Sequence, residues 1–207
     1  KKSDHWKLSK KDKKKYESLL DVSGTGIMGY IEVPKIDCSL PIYHGTDEGA
    51  LQIAIGHLEG SSLPVGGKST HCVLSGHRGL PSARLFTDLD QMEEGDVFVL
   101  NVLGRKLAYE VDQIKVVLPD EMSDLEIVQG KDLCTLVTCT PYGINTHRLL
   151  VRGHRTKYIE ETVVRVQKEA EKKETGIWLL AGGGAVFLII IIIVVVKRRR
   201  KRRNLQR

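Results

Sequence analysis

The chain has 207 residues, 41% of them hydrophobic and 28% charged, enough for one domain with a sizeable core. Its formal charge of +6 sits at the two ends: residues 197–207 hold 8 basic residues and no acidic one, and residues 1–15 hold 8 lysines against Asp4 and Asp12. Taking that +8 and +6 from the total leaves −8 for residues 16–196, so the body is acidic and a nucleic-acid groove, which needs its positive charge on the folded part, is disfavoured.

The opening "KKSDHWKLSKKDKKK" has no apolar stretch and is not a secretory signal. An upstream signal or signal-anchor is therefore expected to carry the amino end across a membrane. Two strand-like runs follow, "IMGYIEVPKI" (27–36) and "SLPIYHG" (39–45), then a short helical piece, "EGALQIAIGHL" (48–58). A strand at "HCVLSG" (71–76) precedes a second helical piece, "ARLFTDLDQM" (83–92), with Leu85, Leu89 and Met92 spaced for one face. The runs "DVFVLNVLG" (96–104) and "KLAYEVDQIKVV" (106–117) read as strands joined at Gly104-Arg105, and "CTLVTC" (134–139) and "HRLLVRG" (147–153) complete the set. Many short strands at this spacing predict a closed barrel or a sandwich.

Residues 159–175, "IEETVVRVQKEAEKKET", are charged and helix-prone and read as a juxtamembrane stalk. The next 21 residues, "GIWLLAGGGAVFLIIIIIVVV" (176–196), carry no charge and as a helix reach roughly 31 Å, the thickness of a bilayer core. The basic cluster "KRRRKRR" directly after them places residues 197–207 in the cytoplasm and the rest of the chain outside. The expected domains are a basic amino-terminal segment (1–26), a β domain (27–158), the stalk (159–175), a transmembrane helix (176–196) and a cytoplasmic tail (197–207).

Four cysteines, Cys38, Cys72, Cys134 and Cys139, form neither a CxxC pair nor a Cys/His metal spacing. At most one disulfide is expected, and no metal or cofactor. Cys38, Cys72 and Cys134 lie in or beside apolar strands and read as packing. Cys139 ends its strand just before a Pro/Gly turn, where a thiol can meet solvent. It shares a face with Thr135 and Val137, while Cys134, Leu136 and Thr138 share the other. Arg148 opens the next strand, and the turn between folds it back towards Cys139, so a fixed guanidinium can face a developing oxyanion. Seven histidines compete to share the thiol's proton. His77, at a strand end in "LSGHRGLPS", ranks first; His147 and His154 point or lie elsewhere, and His44, His57 and His71 fall in or near loops with no evident partner.

The stretches "TLVTCTPYGINTHRLLVRGHR", "LSGHRGLPSARLFTDLD" and "GYIEVPKIDCSLPIYHGT" resemble the sortases, and in particular the class C, pilin-polymerising sortases of Gram-positive bacteria. The resemblance covers roughly residues 27–155 and implies a mainly β fold, a closed eight-stranded barrel with short helices. It also implies a Cys-His-Arg triad, here Cys139 as nucleophile, His77 as acid and base, and Arg148 as stabiliser of the substrate carbonyl, with Thr138 as a substrate contact. A membrane helix after the catalytic domain fits class C as well. The reaction implied is cleavage of an LPXTG-like sorting signal between threonine and glycine, a thioester on Cys139, and transfer to a lysine amine of a pilin at the cell membrane. The alternatives are anchoring of surface proteins to cell-wall precursor, hydrolysis by a cysteine protease, and a binding domain without catalysis. Class C sortases also share an amino-terminal Asp-Pro-aromatic lid. Its counterpart here is Asp4-His5-Trp6, ahead of a Lys-rich helix, with His5 in place of the proline; Asp4 would pair with Arg148 and Trp6 would cover Cys139.

Overall fold

The computed structural model describes residues 6–168, apart from 82 and 162, and residue 172. Nearly all of them belong to one compact unit, Lys1–Gln167; of the other, Lys168–Arg207, only Lys168 and Lys172 are described.

Runs rich in valine, isoleucine and leucine form eight strands: β1 Ile27–Val33, β2 Cys38–His44, β3 Ile55–His57, β4 Thr70–Ser75, β5 Val97–Val102, β6 Arg105–Val117, β7 Asp132–Thr140 and β8 His147–Thr156. They close into a barrel in the order β1-β2-β3-β4-β7-β8-β6-β5, with β5 pairing back onto β1. Closure leaves no long unpaired edge. The β2–β3 and β4–β7 pairs are parallel, and the other pairs are antiparallel. Parallel neighbours need a long crossover, and between β4 and β7 it holds a loop, the β5–β6 hairpin and the stretch 118–131. The hairpin turns on Leu103 (φ 49°) and Gly104 (φ 71°), with Val102 opposite Arg105. Two left-handed residues in succession match the twist of the flanking strands, and Arg105, expected in the turn, is the first residue of β6.

Inward-facing Ile31, Ile42, Leu74, Leu100, Leu107, Leu136 and Val151 fill the core. A second apolar cluster, Val73, Val117, Leu125 and Leu150, lies on the other face of the strands. Ahead of β1 runs the Lys-rich helix α1, Lys10–Ser18, capped by Ser9, whose hydroxyl oxygen accepts from Asp12 N–H. Its single buried residue, Tyr16, docks it on the barrel.

Two expectations are corrected. The stretch 48–58 is one turn of helix, α2 Glu48–Leu51, followed by β3, whose three residues are all buried. An apolar run covered on both faces has no alternation, so its period does not separate strand from helix. The stretch 83–92 contains only a 3-10 turn, Leu89–Gln91, although Leu85, Leu89 and Met92 are all buried. Leu85 takes φ 40°, which a right-handed helix cannot accommodate. In the expected stalk, helix begins at residue 160 and Val163 packs against Val99 and Ala108, so its first turn lies on the barrel wall. Among the described residues no helix is long and apolar enough to cross a membrane; the segment expected to do so, 176–196, lies outside them.

Candidate active site

The period of two along a strand decides where the chemistry points. In β7, Cys134 and Leu136 belong to the barrel core and Val137 to the outer cluster, so Cys139, two residues beyond Val137, also points outward. In β8, Leu149 and Val151 face the core while Leu150 joins the outer cluster, which puts Arg148 on the outer face as well. Cys139 and Arg148 are direct cross-strand partners. Side chains so paired stand about 4.5–5.5 Å apart at Cβ. The fork is steadied by its own turn: Arg148 Nη1 donates to the carbonyls of Asn145 (3.3 Å) and His147 (3.1 Å).

His77 comes from the other side. Strand β4 runs parallel to β7 with Ser75 opposite Val137, and Gly76 N–H continues the ladder to Val137 O at 3.0 Å. Two residues beyond Ser75, His77 reaches the level of Cys139. The loop it opens is pinned: Phe86 N–H donates to His77 O at 3.1 Å. A side chain at residue 76 would meet Ile55 at 2.6 Å and Phe86 at 2.7 Å, so only glycine lets the loop pack this tightly. The thiol and the guanidinium thus share one outer face, and the His77 loop starts beside the end of the Cys139 strand.

Burial separates the cysteines. All four are free, Cys38, Cys72 and Cys134 are 9%, 2% and 0% exposed, and Cys139 is half-buried at the surface. Burial opposes ionisation of Cys72, yet its interactions with Cys134 and His57 outweigh it and hold this thiol below its ordinary range. Burial raises Cys134, its register partner, and Cys38, the latter to about 12. A low-pKa thiol sealed in the core has no route to a peptide, so access, not acidity, singles out Cys139.

Thr138, expected to touch substrate, faces inward, is 2% exposed, and its hydroxyl donates to Gly76 O at 2.8 Å. It ties the Cys139 strand to the His77 loop instead. His57 and His71, expected near loops, lie buried in β3 and β4 with partners: Tyr16 Oη 2.9 Å from His57 Nδ1, and Thr135 Oγ1 2.7 Å from His71 Nε2.

Beside Arg148 lies a groove of about 210 Å³, lined by Leu58, Val73, Ser75, Val117, Leu125 and Leu150 among others. The 3-10 turn Ser123–Leu125, in the loop between β6 and β7, forms one wall. Trp6 packs on the same apolar cluster, whereas Asp4 lies outside the described residues. Nothing in the sequence pattern of 118–131 marks it as a wall, since its apolar residues are sparse. Arg78, next to His77, was also passed over; its side chain is 9% exposed, pairs with Asp90 and donates from Nη1 to Thr140 Oγ1 at 3.3 Å. Among the described residues no three His, Cys, Asp or Glu side chains gather as a metal site would.

The sortase-domain family model matches residues 31–156, which span this barrel from β1 to β8. The chain belongs to the sortase family. Among solved structures it is similar to sortase C1 of Streptococcus agalactiae, with 58% identity and a TM-score of 0.73 over 74% of this chain and 80% of that one. Sortase C-1 of Actinomyces oris is similar too, with 49% identity and a TM-score of 0.70 over 73% and 83% of the two chains. Sortase D of Bacillus subtilis is 32% identical over 130 residues, 61% of this chain and 63% of that protein's length. The solved neighbours are class C sortases, and their identity to this chain is well above that of the B. subtilis relative.

Proposed function

We propose that this protein is a membrane-anchored cysteine transpeptidase of the pilus-building kind, acting on an LPXTG-like sorting signal outside the cytoplasm. The observation that carries the reading is the cross-strand pairing of Cys139 with Arg148 on the outer face, level with His77 and at the mouth of an apolar groove. The groove suits the leucine and proline of such a signal. It leads to Arg148, where the scissile carbonyl would sit.

The chemistry follows from the groups. A free thiol titrates near pH 8.5, so transfer of its proton to a neighbouring imidazole supplies the nucleophile at neutral pH. Cys139 Sγ attacks the threonine carbonyl, and the new C–S bond forms as the C=O becomes an oxyanion facing the Arg148 fork. The C–N bond breaks, His77 gives its proton to the departing glycine amine, and a thioester remains. A pilin lysine amine then attacks that carbonyl, His77 accepts the amine's proton, and the thiolate leaves. Removing one oxyanion donor costs about 10²–10³ in kcat in comparable sites, and Arg148→Ala is expected to fall in that range. Trp6 packs where the signal would lie and acts as a lid that must lift.

The test is a sorting-signal peptide incubated with the purified protein. A hydroxylamine-sensitive adduct should map to Cys139 and be lost in Cys139→Ala. Adding a lysine-bearing acceptor should give a new amide, where a protease gives only the free acid. An adduct mapping to Cys38, Cys72 or Cys134 would end this reading.

A further inference from the structure

Arg78 has four relations that the reaction as written does not use. Its Nη2 pairs with the Asp90 carboxylate, in the 3-10 turn at the end of the His77 loop. Its Nη1 donates to Thr140 Oγ1 at 3.3 Å, one residue beyond Cys139. Its guanidinium lies 5.7 Å from the centre of the Tyr142 ring, in the turn that leads to Arg148. The same ring backs onto the loop of His77, where a Cβ at Gly79 would come within 3.0 Å of it. The fourth relation is a cost: Nε is buried and has no protein acceptor among the described residues. A guanidinium placed for stability would have its donors met. This one leaves a donor unmet while reaching both sides of the thiol–imidazole gap.

We propose that Arg78 is a positioning residue that holds the His77 loop against the end of β7, setting the distance between ring and thiol. The proposal rests on the reading of Cys139 and His77 as the reacting groups. Among the described residues its polar and ring partners are Thr140, Asp90 and Tyr142, and it acts through these. Three simultaneous contacts of this kind need a planar fork with a flat face, which arginine has and lysine lacks. Arg78 is absent from the lining of the apolar groove, so losing it should leave binding of the sorting signal alone and slow only the chemical step.

The experiment measures single-turnover acylation of Cys139, kcat and KM in wild type, Arg78→Ala, Arg78→Lys, Thr140→Val and the Arg78→Ala/Thr140→Val double variant. A loosened reacting pair costs about 100-fold, and that loss in kcat is expected for Arg78→Ala with KM unchanged. Arg78→Lys should keep the charge without restoring the rate. Thr140→Val should show a smaller loss, and the double variant should be no slower than Arg78→Ala, because both changes break one linkage. Melting curves identify any variant that fails to fold; if Arg78→Ala is one, Arg78→Lys and Thr140→Val decide. Wild-type acylation rates in the folded variants, a full rescue by lysine, a rise in KM alone, or additive losses would each overturn the proposal. Absence of any Cys139 adduct in wild type would instead remove the catalytic reading, and this proposal with it.

Discussion

Single residues show most directly which physical effect wins. His71 is buried and neutral: its Nδ1–H donates to Glu126 O at 2.9 Å and its Nε2 faces the Thr135 hydroxyl at 2.7 Å. Burial is the main cause that holds its pKa below the ordinary 6.5, and the nearby Arg152 adds to it. Just below pH 6.5 the unfolded chain therefore binds a proton that the folded chain refuses, and folding stability falls as the pH drops through that window. His71→Gln keeps a donor and an acceptor but cannot titrate. Thermal melts at about pH 7.5 and about pH 5 should show a smaller acid-induced drop in Tm for the variant than for wild type; equal drops would remove His71 as the cause. His57, whose pKa moves the opposite way, is present in both proteins and cancels. Cys139 and Arg148 were readable from the sequence because strand parity and a Pro/Gly turn set their direction. Thr138 sits on the opposite parity, and that alone argued against a substrate contact. Arg78 was not readable, because Asp90, Thr140 and Tyr142 meet it only after folding.

At the scale of elements, strands with a covered face and an open face were legible, and β3 was not. Its "IGH" is sealed on both sides and a parallel neighbour of β2, so the sequence carries no alternation there. The helix α1 shows a different limit. Its lysines face solvent apart from Lys13, which pairs with Glu59 at 2.8 Å, its amphipathic signal is faint, and Tyr16 is its one buried anchor. Tyr16 O–H donates to His57 Nδ1 (2.9 Å), Gly45 N–H donates to Tyr16 Oη (2.9 Å), and His57 Nε2 reaches Ser62 O (2.9 Å). Tyr16→Phe keeps the ring and strands two buried polar groups, a loss of about 1–3 kcal/mol. Urea unfolding should show that loss, and proteolysis ahead of residue 27 should speed up. An unchanged midpoint would mean that α1 is held by something other than this hydroxyl. The same anchor holds Trp6 close to the groove, so opening of the site should become easier as well.

For the whole molecule, the β5–β6 hairpin pairs Phe98 with Tyr109 and stacks their rings, centres 5.6 Å apart, and β8, packed beside β6, must pass over them. Gly153 lets β8 pass over them: a Cβ there would lie 2.8 Å from Phe98 and 2.9 Å from Tyr109. Gly153→Val overpacks this crossing and should cost about 1–3 kcal/mol, seen as a fall in Tm of several degrees in calorimetry. A melt at the wild-type temperature would show that the seam can relax. The eight-stranded closed fold followed from the family resemblance; strand runs alone left barrel and sandwich both open, because registers between distant strands are not written in local pattern.

One consequence follows from the parallel seam between β4 and β7. It fastens Gly76 to Thr138, 62 positions apart, and the guanidinium arrives only with the strand after that. A chain still emerging from its ribosome therefore presents His77 well before Cys139, and the seam that brings their two segments side by side cannot form until β7 has been made. On the proposed reading, a passing peptide meets no assembled site until β8 has docked as well, and the fold itself acts as the safety catch.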